Sequence, residues 1–259
     1  MLIMARYYHK MAYMLILMYM EEIIYKYRNV PYFNNKTTGR RASLRVHAGK
    51  GSCVEIQNEI EEIVLREKID IKSLNDSQIK KLLVDHNIGI ECSGFAYYLL
   101  NEECKKRGKG ELKRHFKFPF ANGLMGRLRS VFRPIENIDV KTFAHDENSR
   151  VVDIADVKVG DIITMTKSVE NGVRDHILII NKIDIENNLP KTLYYVHSVA
   201  WPTDGEYGHG IHNGKIEIVD IKKPLTDQVW EELGKIGEEN YTHARALKSL
   251  TELRRLNWF

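Results

Sequence analysis

The chain changes period near Val151, and that change limits the folds open to it. Upstream, apolar residues recur at helical spacing. Downstream they fall into short β-branched runs bounded by turn residues. Helices first and strands afterwards describe an α+β domain, its N-terminal helices packed on an antiparallel β-sheet. With 259 residues, 43% of them hydrophobic, the chain can fill one sizeable core.

The helical half is punctuated clearly. Ser52-Cys53-Val54-Glu55 has the form of a capping box, followed by Ile56, Ile60, Ile63 and Val64 on one face. A second helix is expected from about Ser77 to His86, behind Asn75 or Asp76. A third is expected from Cys92 or Ser93 to about Arg107, closed by Gly108, with a stripe of Phe95, Tyr98, Leu99 and Glu102. Strands are expected at Asp161–Thr166, His176–Ile183, Thr192–Val199 and Lys215–Ile221, with Asn213-Gly214 as a hairpin turn before the last. Residues 29–51 look like loop apart from a short strand around Ser43–His47, and a two-helix tail broken near Gly237 is expected after Thr226. The organisation is then a basic N-terminal extension (1–50), a central domain (51–225) with a basic insertion at about 109–150, and a helical tail (226–259).

Charge is spread unevenly. Residues 1–50 carry nine Lys/Arg against Glu21 and Glu22, and Lys105 to Arg133 carries ten against Glu111 alone. Such runs suit an anionic polymer or a solvated face balanced by acidic neighbours, and a nucleic-acid partner is not expected. The apolar run Met11–Met20 follows Arg6 and Lys10 but meets Glu21-Glu22 without a small-x-small cleavage site. It is too short to span a bilayer, so it reads as a buried or interfacial helix with no transmembrane segment, and it leaves the compartment open. Three cysteines, Cys53, Cys92 and Cys104, make no disulfide framework and no Cys-x-x-Cys zinc pair. His209-Gly-Ile-His212 has the spacing of a metal clip but lacks convergent partners, so no metal is expected.

The chemistry concentrates in Ile88-Gly89-Ile90-Glu91-Cys92-Ser93-Gly94-Phe95, which puts a cysteine at the first turn of a helix. Free N–H groups and the positive dipole end there favour thiolate over thiol, and Gly94 beside it leaves room for a substrate backbone. Asp175-His176 opens a strongly apolar strand, and Tyr195-Val196-His197-Ser198 places a second imidazole in the next one. If those strands pair, nucleophile, base and base-orienter can converge.

Glu91-Cys92-Ser93-Gly94-Phe95 resembles the Asp-Cys-Ser-Gly-Phe signature of the NlpC superfamily, cell-wall peptidases with a papain-like fold. Val159-Gly160-Asp161 resembles its strand entry, His176-Ile-Leu-Ile-Ile its histidine strand, and Tyr195-Val196-His197-Ser198 the strand bearing its third catalytic residue. Order and rough spacing agree from about Ile88 to Val199. Glu91 stands where the family has Asp, Leu178 where it has Gly, and the stretch from Cys92 to Gly160 is longer than usual. The resemblance implies a cysteine hydrolase cleaving an amide, with Cys92 as nucleophile, His176 as base and His197 as orienter. Tyr32, in Pro31-Tyr32, corresponds to the family's oxyanion-binding tyrosine. Ser93, Gly94 and Asp175 are further candidates for contact with substrate. The implied substrate is a peptide, in the family a peptidoglycan stem peptide, with no metal or organic cofactor. Two other readings remain open: an intracellular cysteine amidase or acyltransferase, and a non-catalytic binder of anionic polymer on the same scaffold.

Overall fold

A computed structural model describes residues 20–34, 44–167, 174–235 and 237–259. The apolar run Met11–Met20 lies outside the described residues except for Met20, which starts helix α1 (residues 20–27). Among the described residues no helix is long and apolar enough to cross a membrane.

Helices α2 (Cys53–Glu67), α3 (Asp76–Asp85) and α4 (Cys92–Lys106) follow. Ser52 and Glu55 form the capping box at α2, and Asn75 and Gln78 form a second one at α3, each satisfying two otherwise orphaned N–H groups. Helix α4 is the central one. Phe95, Ala96, Leu99 and Leu100 are sealed within the core, and Tyr97 and Cys104 are buried as well, so the helix is enclosed on more than one stripe. Tyr27 of α1 meets Phe95 edge-on at 5.7 Å and donates a hydrogen bond to the Gly51 carbonyl at 3.2 Å. The end of the N-terminal extension therefore packs into the domain.

The basic insertion carries short helices: α5 (Gly123–Phe132), α6 (Pro134–Asn137) and α7 (Val140–Ala144). It is a surface excursion only in part, because Leu112, Phe116, Ile138 and Phe143 belong to the core. After it come β1 (Ser149–Val151), β2 (Ile162–Thr166), β3 (His176–Glu186), β4 (Leu189–Val199), α8 (Gly205–Gly208), β5 (Gly210–Glu217), β6 (Val229–Glu232), α9 (Tyr241–Leu247) and β7 (Leu250–Leu256). The strands form one seven-stranded sheet in the order β1-β7-β2-β3-β4-β5-β6. Every neighbouring pair is antiparallel. Helix α4 lies against β3 and β4, and the fold is α+β.

Three expectations are overturned. Val46–Ala48 forms a 3₁₀ turn where a strand was expected. Asn213-Gly214 makes no turn. Both residues lie inside β5 opposite Val196 and Tyr195, and a Cβ on Gly214 would stand 2.1 Å from Cζ of the Tyr195 ring. Glycine is there to receive that ring. The tight hairpin is Asn187-Asn188, with φ of 51° and 63°, left-handed conformations that asparagine tolerates. The third correction is the largest: residues 226–259 contain two strands and one helix, and β7 sits between β1 and β2 inside the sheet. Its charged sequence is reconciled with burial by pairing. Arg255 donates to both carboxylate oxygens of Asp161 at 2.7 Å, and Arg254 donates to Ser149 Oγ and to Ser149 O, both at 2.8 Å.

Candidate active site

Strands β3 and β4 pair from Glu186↔Leu189 only as far as Ile179↔Val196, and beyond that point the two strand ends part. The segment leading into α4 fills the gap. Ser198 Oγ donates to the Ile90 carbonyl at 2.7 Å, Ile90 N–H donates to Pro31 O at 2.9 Å, and Glu91 N–H donates to Gly49 O at 3.0 Å. Held on three sides in this way, Cys92 begins α4 with its sulfur facing the backbone N–H of Ile177, next to His176. The helix starts without a side-chain cap. The N–H groups of its first turn have no intrahelical acceptor and remain as donors beside the sulfur.

His176 and His197 are both buried, and His176 Nε2 lies 2.6 Å from His197 Nδ1. His197 Nε2 lies 2.8 Å from Glu232 Oε1, and the second oxygen of Glu232 accepts from Tyr195 OH at 2.8 Å and Thr242 Oγ1 at 3.0 Å. This chain of contacts fixes the tautomers. Burial raises the Glu232 carboxyl, but the adjoining His197 and the hydrogen bonds from His197, Tyr195 and Thr242 bring it below the ordinary glutamate value. An ionised carboxylate only accepts, so His197 carries its hydrogen on Nε2 and offers a bare Nδ1. His176 must then donate from Nε2, which leaves its Nδ1 bare and able to take a proton.

Burial lifts the Cys92 thiol to about 12. The Glu91 carboxylate adds to the rise, while Lys50, Arg245 and the Ile177 N–H oppose it. Burial, reinforced by the positive charge of Arg245 and by the adjoining His197, holds His176 well below the ordinary imidazole value. The resting pair at neutral pH is therefore an uncharged thiol and an uncharged imidazole. This corrects the expectation of a helix-tip thiolate: at 6% exposure, desolvation outweighs the pull of the helix N-terminus.

The other candidate residues divide. Tyr32 pairs with Ile90 as an isolated bridge and lines a cavity of about 410 Å³ together with Asp175, His176, Trp201, Tyr241 and Arg245. Burial and the nearby Cys92 raise the Tyr32 phenol, which keeps its proton and remains a donor. Asp175 lines the same cavity 3.8 Å from Lys141, and the partner at Nε2 of His176 is His197. Ser93 turns inward, donating to Glu91 at 2.7 Å and accepting from Lys50 at 2.6 Å. Gly94 makes no room for substrate, since a Cβ there would meet Gly49 O at 2.4 Å. The glycine lets α4 approach the chain at Gly49. His212 Nε2 bonds Asp204 at 2.8 Å and the ring stacks on Trp201, and among the described residues no cluster of three or more His, Cys, Asp or Glu could hold a metal ion.

Glu232, Tyr195, Thr242 and Arg245 were not anticipated from sequence. Along β6, Trp230 and Glu232 point inward while Val229 and Glu231 face solvent, a placement that the order Val-Trp-Glu-Glu does not announce. Replacing Glu232 by Gln introduces an amide that can donate to His197 and reverse the tautomer chain. Any activity that uses His176 as a base should fall about 10²-fold, with little change in KM, as read by steady-state kinetics.

No family model, curated protein or solved structure matches this chain.

Proposed function

We propose that this chain is a cysteine hydrolase of papain-like, NlpC type, cleaving an amide bond in a peptide, with a peptidoglycan stem peptide as the substrate class. The observation that carries this reading is the tautomer chain Glu232–His197–His176, which ends in a bare imidazole nitrogen on the residue adjoining the N–H that the Cys92 sulfur faces. A buried histidine kept for packing alone has no need of a second histidine and a buried carboxylate in series.

The steps follow from the protonation states. His176 Nδ1 takes the thiol proton as the sulfur attacks the amide carbonyl, so charge separates only when substrate is present. The unpaired N–H groups at the start of α4, with the Tyr32 hydroxyl, stabilise the developing oxyanion. His176 returns the proton to the leaving nitrogen as the C–N bond breaks, giving a thioester on Cys92 and a free amine. Water, deprotonated by His176, then releases the carboxylic acid and restores the thiol. His197 and Glu232 preserve the position and tautomer of His176 throughout.

The test is turnover of defined stem peptides across pH, with samples quenched in acid for mass spectrometry. An acyl adduct on the peptide containing Cys92, together with release of amine, is expected. The imidazole must be unprotonated to act, and its pKa is depressed, so the acid limb of kcat/KM should lie below pH 6.5, the unperturbed histidine value. No adduct and no amine from any peptide in the panel would end the proposal. An acid limb above 6.5 would remove His176 as the base.

A further inference from the structure

Part of the lining of the cavity that contains His176 is supplied by α9, an element outside the stretch that resembles the NlpC family. Its position is well fixed. Asn240 caps it through the His243 N–H at 2.9 Å, Thr242 bonds Glu232 at 3.0 Å, and His243 Nε2 lies 2.8 Å from Thr226 O. Arg245, on the last turn, lines the cavity and is half-buried. Among the described residues its guanidinium makes no hydrogen bond or ion pair, although Arg254 and Arg255 of the adjoining strand are each tied to carboxylates. A guanidinium on a cavity wall with its fork unoccupied by protein groups is available to a partner that arrives with the ligand. Arg174 and Lys248 also line this cavity, and Asp175 is the one carboxylate among its lining residues. Arg245 thus adds a positive charge to the cavity wall, which favours an anionic ligand.

We propose that Arg245 is a substrate-binding residue that holds a carboxylate lying close to the scissile amide, so that the preferred substrates are acidic peptides with that carboxylate free. The proposal deepens the hydrolase reading above and rests on it. A planar guanidinium grips a carboxylate through two parallel N–H···O contacts, which a neutral carboxamide cannot reproduce. The positive charge of Arg245 also reaches Cys92, His176 and Tyr32, so a carboxylate docked on it lies within the same field as the reacting groups. Tyr32, Trp201 and Tyr241 add an apolar wall against which the rest of a peptide side chain can lie.

The experiment compares matched peptides that differ only in a free carboxylate or its carboxamide. One pair carries the group on the acyl residue of the scissile amide, and the other on the amine residue. The wild-type protein should favour the carboxylate in at least one pair by about 10²-fold in kcat/KM, the usual scale for one charge-assisted bidentate contact. Arg245→Gln should bring that ratio near one, and Arg245→Lys, which keeps the charge and loses the fork, should leave an intermediate ratio. Binding of the same peptides to Cys92→Ala protein by calorimetry gives a second readout that needs no chemistry. Equal handling of both members of each pair by the wild type, or a preference that survives Arg245→Gln, overturns the proposal. If the wild type binds the carboxylate peptides selectively through Arg245 but cleaves none, the hydrolase reading has failed while the carboxylate site stands.

Discussion

Cys92→Ala is expected to reduce amide hydrolysis by about 10⁴-fold or more, the scale on which nucleophile removal acts when base and oxyanion donors remain. The variant should still fold. The side chain packs in the core with only 6% exposure, and deleting one buried sulfur costs about 1 kcal/mol. That corresponds to a melting shift of about 3 °C for a chain of this size. Peptide binding should persist, because the cavity lining contains Tyr32, Asp175, His176 and Arg245 and does not include Cys92. This separation of binding from turnover distinguishes the hydrolase from a binder of anionic polymer on the same scaffold, which would be indifferent to Cys92 and would weaken steeply with salt. Measured single-turnover rates decide it. A variant that keeps more than a tenth of the wild-type rate has another nucleophile.

The contrast between what was and was not legible in the sequence has a physical origin. Helices α2, α3 and α4 announce themselves because capping boxes and an αL glycine at their ends are local signals, confined to a few consecutive residues. Strands β2, β3 and β4 are equally legible, since their apolar runs are buried on both faces. Strand β7 is not. Leu250–Leu256 reads as a charged helix until Asp161, Asp146 and Ser149, about a hundred residues upstream, are known to receive Arg255 and Arg254. Gly214 fails for a related reason. A glycine needed to accept the Tyr195 ring from the next strand is indistinguishable, in one dimension, from a turn glycine.

The candidate site follows the same rule. Cys92, His176 and His197 were visible as a motif because each begins or interrupts an apolar element, and the histidine pair was reachable from hairpin geometry. Glu232 lies 35 residues beyond His197, across β5, and Arg245 lies beyond that on a seven-residue helix. Neither position carries a spacing rule that links it to the cysteine. The thiol's protonation state could not be read either. A helix N-terminus argues for thiolate, and only the depth of Cys92 in the core reverses the sign.

Lys50→Met should destabilise the protein by about 3–5 kcal/mol, the cost of breaking a buried ion pair from one side. Lys50 is 4% exposed, and its ammonium places its three hydrogens on Glu91 Oε1 at 2.6 Å, Ser93 Oγ at 2.6 Å and the Ile138 carbonyl at 2.5 Å. Methionine matches the aliphatic stem that packs beside Gly94 and removes only the charge. Glu91, itself 8% exposed, would keep one donor, Ser93 Oγ at 2.7 Å, and the Ile138 carbonyl would lose its donor. The expected fall in melting temperature is on the order of 10 °C. Pairing the change with Glu91→Leu should recover most of it, because removing both charges eliminates the unpaired carboxylate that causes the loss. If the double variant is no more stable than Lys50→Met, the cost comes from the backbone contacts of Ile138 and Gly49, and the ion pair is incidental. The result bears on chemistry as well. Glu91 is the residue before Cys92, and its carboxylate, held by Lys50 and Ser93, is kept from folding back to cap α4. Freed from Lys50, that carboxylate can turn toward the helix N–H groups and occupy the donors an oxyanion requires. Single-turnover rates of Lys50→Met at a temperature where it is still folded should therefore fall by more than the unfolded fraction explains, and the double variant should restore them.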